Sequence, residues 1–434
     1  MKKWIFAILA LLLCLATLTA CKQESDAAVM TEAEDLPLQT VDVSAYQFAG
    51  NYPALENTLT WEKINNLPQK YPGMTEDEMR KAVVTFYTFS KEFYWISGNE
   101  ADYWINSGHG DVNLRTGDIY RSFPYVSGGN GNIYRMMDFM DPSVGVLDAE
   151  KAFATDALFG NQCSTSTYWA WARVMNSAKY RYTVTTVAAN GVVPVGDYTY
   201  DFSIERFTAS YGTRKIVSDN GQQVMYESYA KIKPGDGLVF NNGSGHAIIT
   251  TGDTVVVRNA DGTIDPAKSY IIYSDQNAPR YSRTTANGDK FVCFGVIDSK
   301  KSFQSLYNNS YIPFTYKEFL GEDPVEETEA FCTHMGKTIT KAELFNTRVC
   351  ANYAISDVYA AVYNSLGVEV YKVVVRAKTP SVYQIQLREE PEKEQDNVFV
   401  WGSWENIPKN STVKIYAQLS TGERPILWEG TLVE

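Results

Sequence analysis

Apolar positions recur along this chain with two different periods, and the switches between them divide it into segments. Thr75-Glu-Asp-Glu78 has the form of a capping box, and Ala82, Val83, Phe86, Phe93 and Tyr94 follow on one helical face, so residues 41–120 read as a helical segment. Asp148 caps a further short helix through Leu158 that ends at Gly160. Tyr168, Trp171, Ala172 and Met175 then recur at i, i+3, i+4 and i+7 behind the small polar run Ser164 to Thr167, which predicts an amphipathic helix opening at Cys163. Farther on the period falls to two. Leu238 to Phe240, Ala247 to Thr250 and Tyr270 to Asn277 read as strands, preceded by the turn Pro234-Gly235-Asp236 and with the loop Asn242 to Gly245 between the first two. Val255 to Arg258 and the Asp261-Gly262 turn add a hairpin. Gly321 to Ala330, acidic and Pro-containing, reads as a linker. Beyond it Ala360–Tyr363, Val368–Val375, Val382–Leu387, Val398–Trp401, Val413–Ala417 and Ile426–Val433 predict an antiparallel β-sandwich over 331–434.

Three of these segments carry reactive side chains. A cysteine at a helix start feels the positive end of the helix dipole and nearby amide donors, which favour thiolate over thiol, so Cys163 is a candidate nucleophile. His246 opens a strand at a loop mouth, where an imidazole from another segment can be held rigidly beside the sulfur. Alternation along Tyr270-Ile-Ile-Tyr-Ser-Asp-Gln-Asn277 puts Asp275 and Asn277 on one face, and either can accept the second imidazole N–H and fix the tautomer.

The order and wording of these blocks resemble the CHAP family, cysteine- and histidine-dependent amidohydrolases and peptidases on a papain-like fold. The residues that carry the resemblance are Gln162-Cys163 with Tyr168, Trp169 and Arg173, then Pro234-Gly235-Asp236, Gly245-His246-Ala247 and Asp275-Gln276-Asn277, with Asp275 where the family has Glu. It spans roughly residues 120 to 300. The resemblance implies that Cys163 is the nucleophile, His246 the general base and then acid, and Asp275 or Asn277 the orienting group, with Gln162 and the Cys163 N–H as oxyanion-hole candidates. Tyr125-Val-Ser-Gly-Gly-Asn130 is similar to the Tyr-containing segment of NlpC-type hydrolases, which makes Tyr125 a candidate for the substrate groove.

Met1 to Ala20 carries Lys2 and Lys3, an apolar run from Trp4 to Leu18 and the closing Leu18-Thr-Ala-Cys21, the pattern of a bacterial lipoprotein leader. On this reading 1–20 is a signal peptide and Cys21 is lipidated and held to a membrane. The acidic stretch 21–40 is then a flexible tether on the extracytoplasmic side, at a cell surface or in a periplasm. Hydrophobic residues at 44% and charged residues at 21% of 434 fit a folded body with two or three cores, and a net charge of −12 argues against nucleic acid. Of six cysteines, Cys14 leaves with the leader and Cys293 lies in an apolar strand. Cys332 and Cys350 are a candidate disulfide in an oxidising compartment, leaving Cys163 as the reactive thiol. No Cys or His cluster has metal-ligand spacing and His109 reads as a polar loop residue, so no metal or cofactor is expected.

The expected protein is α+β: a papain-like, CHAP-type domain over 41–320 with its N-terminal helical segment, a linker at 321–330 and the sandwich. Its expected activity is hydrolysis of an amide bond in peptidoglycan, as amidase or endopeptidase, on a peptide or glycan-peptide substrate. The alternative class is a non-catalytic cell-wall-binding or adhesion lipoprotein that retains the fold. A transglutaminase-like enzyme shares the Cys, His, Asp order but fits the Pro-Gly-Asp and Asp-Gln-Asn blocks less well.

Overall fold

The computed structural model describes residues 55, 57–104, 111–156, 158–176, 192–200, 211–242, 245–278, 281–284, 290–391 and 396–433. The leader, Cys21, the tether and His109 lie outside the described residues. Among the described residues no helix is long and apolar enough to cross a membrane. The chain is α+β, with helices laid against several sheets.

Helix α1 (Glu76–Glu92) starts where the capping box places it: Thr75 accepts the Glu78 N–H, and the Glu78 carboxylate accepts the Thr75 N–H at 2.8 Å. The helical expectation for residues 41–120 fails beyond Glu92. Phe93 is already extended, and Tyr94–Ser97 is a strand paired with Ile119–Arg121 and Val146–Leu147. Tyr94-Trp-Ile is aromatic and β-branched, and pairing on both sides buries Trp95 and Ile96 completely, so sheet burial overrides the helical spacing of Phe93 and Tyr94.

Two further helices matter for the site, α2 (Ile133–Met137) and α3 (Cys163–Trp171). Helix α3 lies against a six-stranded antiparallel sheet built from β1 (Val192–Pro194), β2 (Gly237–Asn241), β3 (Gly245–Val255), β4 (Tyr270–Asp275), β5 (Val296–Ser302) and β6 (Ile312–Tyr316), in the order β5-β4-β3-β2-β6-β1. The extra hairpin between β3 and β4 is present, with Arg258 bridged to Ile264 and Gly262 at a φ of +85° in its turn. Helix α3 packs between β3 and α1. It is not amphipathic as expected. All nine of its residues are buried, because its remaining sides are covered by the 125–131 loop and the C-terminal third of the chain.

That C-terminal third has a core of its own between two sheets. The larger contains β7 (Ile355–Tyr363), β8 (Glu369–Ala377) and β9 (Thr412–Leu419) in the order Thr338–Ile339, Ile426–Leu432, β9, β7, β8, Asp396–Trp401, and the smaller is Ala330–Cys332, Arg348–Ala351 and Gln384–Gln386. All six predicted runs are strands, and one pairing, Thr338–Ile339 with Ile426–Leu432, is parallel rather than antiparallel. The expected Cys332–Cys350 disulfide is absent. Register pairs Phe331 with Cys350 and Cys332 with Val349, so the two thiols point to opposite faces of their sheet.

Strand β7 is buried on both faces. Val358, Ala360 and Val362 face the sandwich core, while Tyr359 and Ala361 join Val374, Phe399 and Tyr416 on the other side, where Phe399 meets Phe139 edge-on. A charged cluster closes this second face. Asp357 accepts from Arg376 Nε at 2.7 Å and lies 3.3 Å from Arg135 of α2, while Arg376 also pairs with Asp138. Arg135 donates to the carbonyls of Ser356 and Ala377 at 2.8 Å each. The 321–330 stretch is pinned as well: Val325 is buried, and the Glu326 carbonyl accepts from Lys70 Nζ and the Tyr353 hydroxyl.

Truncating Asp357 leaves two buried guanidinium groups without their shared carboxylate. Asp357→Ala should therefore lose about 3–5 kcal/mol of stability, read from urea unfolding midpoints at an unchanged slope.

Candidate active site

Cys163 is the first residue of α3 and only 5% exposed, and the N-cap position before it is held by Gln162. A loop fixes this helix start. Val126 N–H donates to the Asn161 carbonyl at 3.1 Å, Asn161 N–H donates to the Pro124 carbonyl at 3.0 Å, and Thr165 Oγ1 donates to the Gly129 carbonyl at 2.8 Å. A side chain at Gly129 or Gly131 would put its Cβ about 2.5 Å from the Gly160 carbonyl oxygen, so this approach requires glycine. Trp171 Nε1 donates to the Gly235 carbonyl at 2.9 Å, tying the far end of the helix to the Pro-Gly-Asp turn. In that turn Gly235 has a φ of +90°, and the Asp236 carboxylate accepts from Arg80 of α1 and from the Lys233 N–H, both at 2.8 Å.

His246 is the second residue of β3, opposite Phe240 of β2. Ser274 of β4 pairs with Ile249, and continuing that register by one residue sets Asp275 opposite Ile248, on the face that His246 shares. The two side chains meet along this diagonal, with His246 Nε2 2.9 Å from Asp275 Oδ2. The other ring nitrogen is the one available to Cys163, whose thiol interacts electrostatically with the His246 ring. The second Asp275 oxygen accepts the Val296 N–H at 3.0 Å.

Charge follows from this geometry. Burial pushes the Cys163 thiol up, but the His246 ring and the N–H groups of Ala247 and Ser164 outweigh it, and the net direction is down. Burial also opposes an imidazolium, yet the Cys163 sulfur and the Asp275 carboxylate raise His246 well above its ordinary value. Asp275 itself is held low, burial being offset by His246 and the Val296 N–H. The directions of these shifts favour a thiolate–imidazolium pair beside a carboxylate, an arrangement that suits attack on an electrophilic carbon and return of a proton.

The sequence left the orienting group open between Asp275 and Asn277, and Asp275 holds that position. Asn277 lies past the end of β4, where its Oδ1 accepts the N–H of Ala278 at 2.9 Å. The Gln162 amide oxygen accepts the Gly128 N–H at 3.1 Å, which fixes the amide so that its nitrogen is the donor end. Tyr125 is half-buried and bridges backbone to backbone with Asn161, beside the run into Cys163. Sequence reasoning missed Lys91, whose ammonium donates to Ser166 and, at 2.9 Å, to Gln276 Oε1. The signal was there: Val83, Tyr87 and Lys91 stand at i, i+4 and i+8 of α1, on the face that is buried.

Compared with known proteins, the chain matches no family model, no curated protein and no solved structure.

Iodoacetamide should alkylate Cys163 with a pH midpoint below that of a free thiol, followed by peptide mapping to separate it from the other cysteines. In His246→Ala the burial remains and the cation is gone, so the midpoint should rise. Alkylation at pH 6 should then slow by about tenfold or more, since one unit is tenfold.

Proposed function

We propose that this protein is a lipid-anchored, extracytoplasmic cysteine hydrolase of papain-like, CHAP type that cleaves an amide bond in peptidoglycan, as amidase or endopeptidase. The observation that carries the reading is the His246–Asp275 hydrogen bond beside the Cys163 thiol, whose pKa the His246 ring lowers, assembled from a helix start and two strand ends. The Cys163 thiolate attacks the amide carbonyl, and the Cys163 N–H with the Gln162 amide nitrogen stabilises the oxyanion. His246 gives its proton to the leaving amine, and the acyl group stays on sulfur. His246 then takes a proton from water, which adds to the thioester and frees the acid. Asp275 keeps the ring oriented throughout. The peptidoglycan substrate rests on the CHAP resemblance together with the leader and lipidation signal at Cys21, which face the protein toward the wall.

The full-length chain, solubilised in detergent, and its Cys163→Ala variant are incubated with purified peptidoglycan and the released fragments read by mass spectrometry. Fragments from the intact protein alone are the expected outcome, and their new termini locate the cut at the muramoyl-alanine amide or within the peptide. Binding to the wall with no fragments from either chain would instead identify a wall-binding lipoprotein.

A further inference from the structure

Lys91 sits in the last turn of α1 and is 1% exposed. Lysine is almost never buried so deeply without a carboxylate, yet its two hydrogen-bond partners here, Ser166 and Gln276, are neutral. Those partners are placed tellingly. Ser166 lies one turn after Cys163 on α3, and Gln276 directly follows Asp275. Gln276 is completely buried and cannot swing away: its Oε1 also accepts from Ser122 at 2.9 Å, and its Nε2 donates to the Phe123 carbonyl at 2.7 Å.

We propose that Lys91 is a positioning residue of the Cys163 site, bridging the helix that carries the thiol to the strand end that carries Asp275 and balancing the charge of the ionised line. The balance is simple to count. Thiolate, imidazolium and carboxylate together leave one net negative charge in a buried site, and an ammonium cancels it. The groups facing Lys91 agree with that role. Burial lowers its pKa to about 7, and Asp275 of β4 and Cys163 of α3 are the charges that hold it up. Tyr87, on its own helix, presents its ring 4.9 Å from the ammonium. His246 of β3 is hydrogen-bonded to Asp275, and Lys301 of β5, whose pKa burial lowers, also interacts with Asp275.

The inference rests on the thiolate reading of Cys163 and not on any substrate, so alkylation tests it without peptidoglycan. In the full chain, Lys91→Met and Lys91→Gln should both move the pH midpoint of Cys163 alkylation upward by about one unit, a tenfold loss of rate on the acid side. Glutamine keeps a donor and removes the charge. A wild-type midpoint in both folded variants, or in Lys91→Gln alone, overturns the charge-balancing role. A shift in His246→Ala with none in the Lys91 variants sinks this inference and leaves the thiolate reading standing. Should the Lys91 variants not fold, the reciprocal measurement decides. The Lys91 side-chain NMR titration should move to lower pH in Cys163→Ala, where the thiolate is gone, and an unchanged titration overturns the proposal.

Discussion

Burying a helix whose first turn is polar sets the terms for everything around it. Ser164, Thr165, Ser166 and Thr167 of α3 are all out of water, and each hydroxyl left without a partner would cost on the order of 1–3 kcal/mol. Thr165 reaches the 125–131 loop, Ser166 meets Lys91, and Thr167 turns back to the Ser164 carbonyl. The aromatic half continues the pattern: Tyr168 accepts from the Ser381 N–H, Trp169 donates to Asn130 and Trp171 to Gly235. The helix is thus hydrogen-bonded to the 125–131 loop, to Lys91, to the Pro-Gly-Asp turn and to the segment at Ser381. The position of the Cys163 sulfur against His246 is a product of that enclosure.

The C-terminal sandwich belongs to the same enclosure. Asn130 ties the two parts together, its Oδ1 accepting from Trp169, its Nδ2 donating to the Ala377 carbonyl and its own carbonyl accepting from Arg135. Behind it the Arg135, Asp138, Asp357 and Arg376 cluster makes the contact specific, because buried charges tolerate few alternative arrangements. These contacts fix the C-terminal strands against the part of the chain that carries Cys163.

What the sequence made legible followed local chemistry. The capping box at Thr75, the strands around Pro234-Gly235-Asp236 and His246, the hairpin at Asp261-Gly262 and six sandwich strands are written in short-range patterns, and the structure has them. Tyr94 was misread because its helical spacing competes with β propensity, and only the sheet partners decide. The disulfide failed on register, which sequence separation does not encode. The all-round burial of α3 depends on a segment more than two hundred positions away, beyond any periodicity window. At the candidate site, Cys163, His246 and Asp275 were legible as types at strand and helix ends. Lys91 was hidden because a lysine near a helix C-terminus ordinarily reads as a solvated charge.

The bond from Ser381 to Tyr168 spans 213 positions, and β9, which flanks β7, lies later still. Contacts this distant form late, because a long loop must close before they repay it. A chain emerging from its N-terminus holds Cys163 long before it holds the strands that wall in its helix. The covering of the helix that starts at Cys163 is therefore complete only once residues as late as Ser381 have been made and docked.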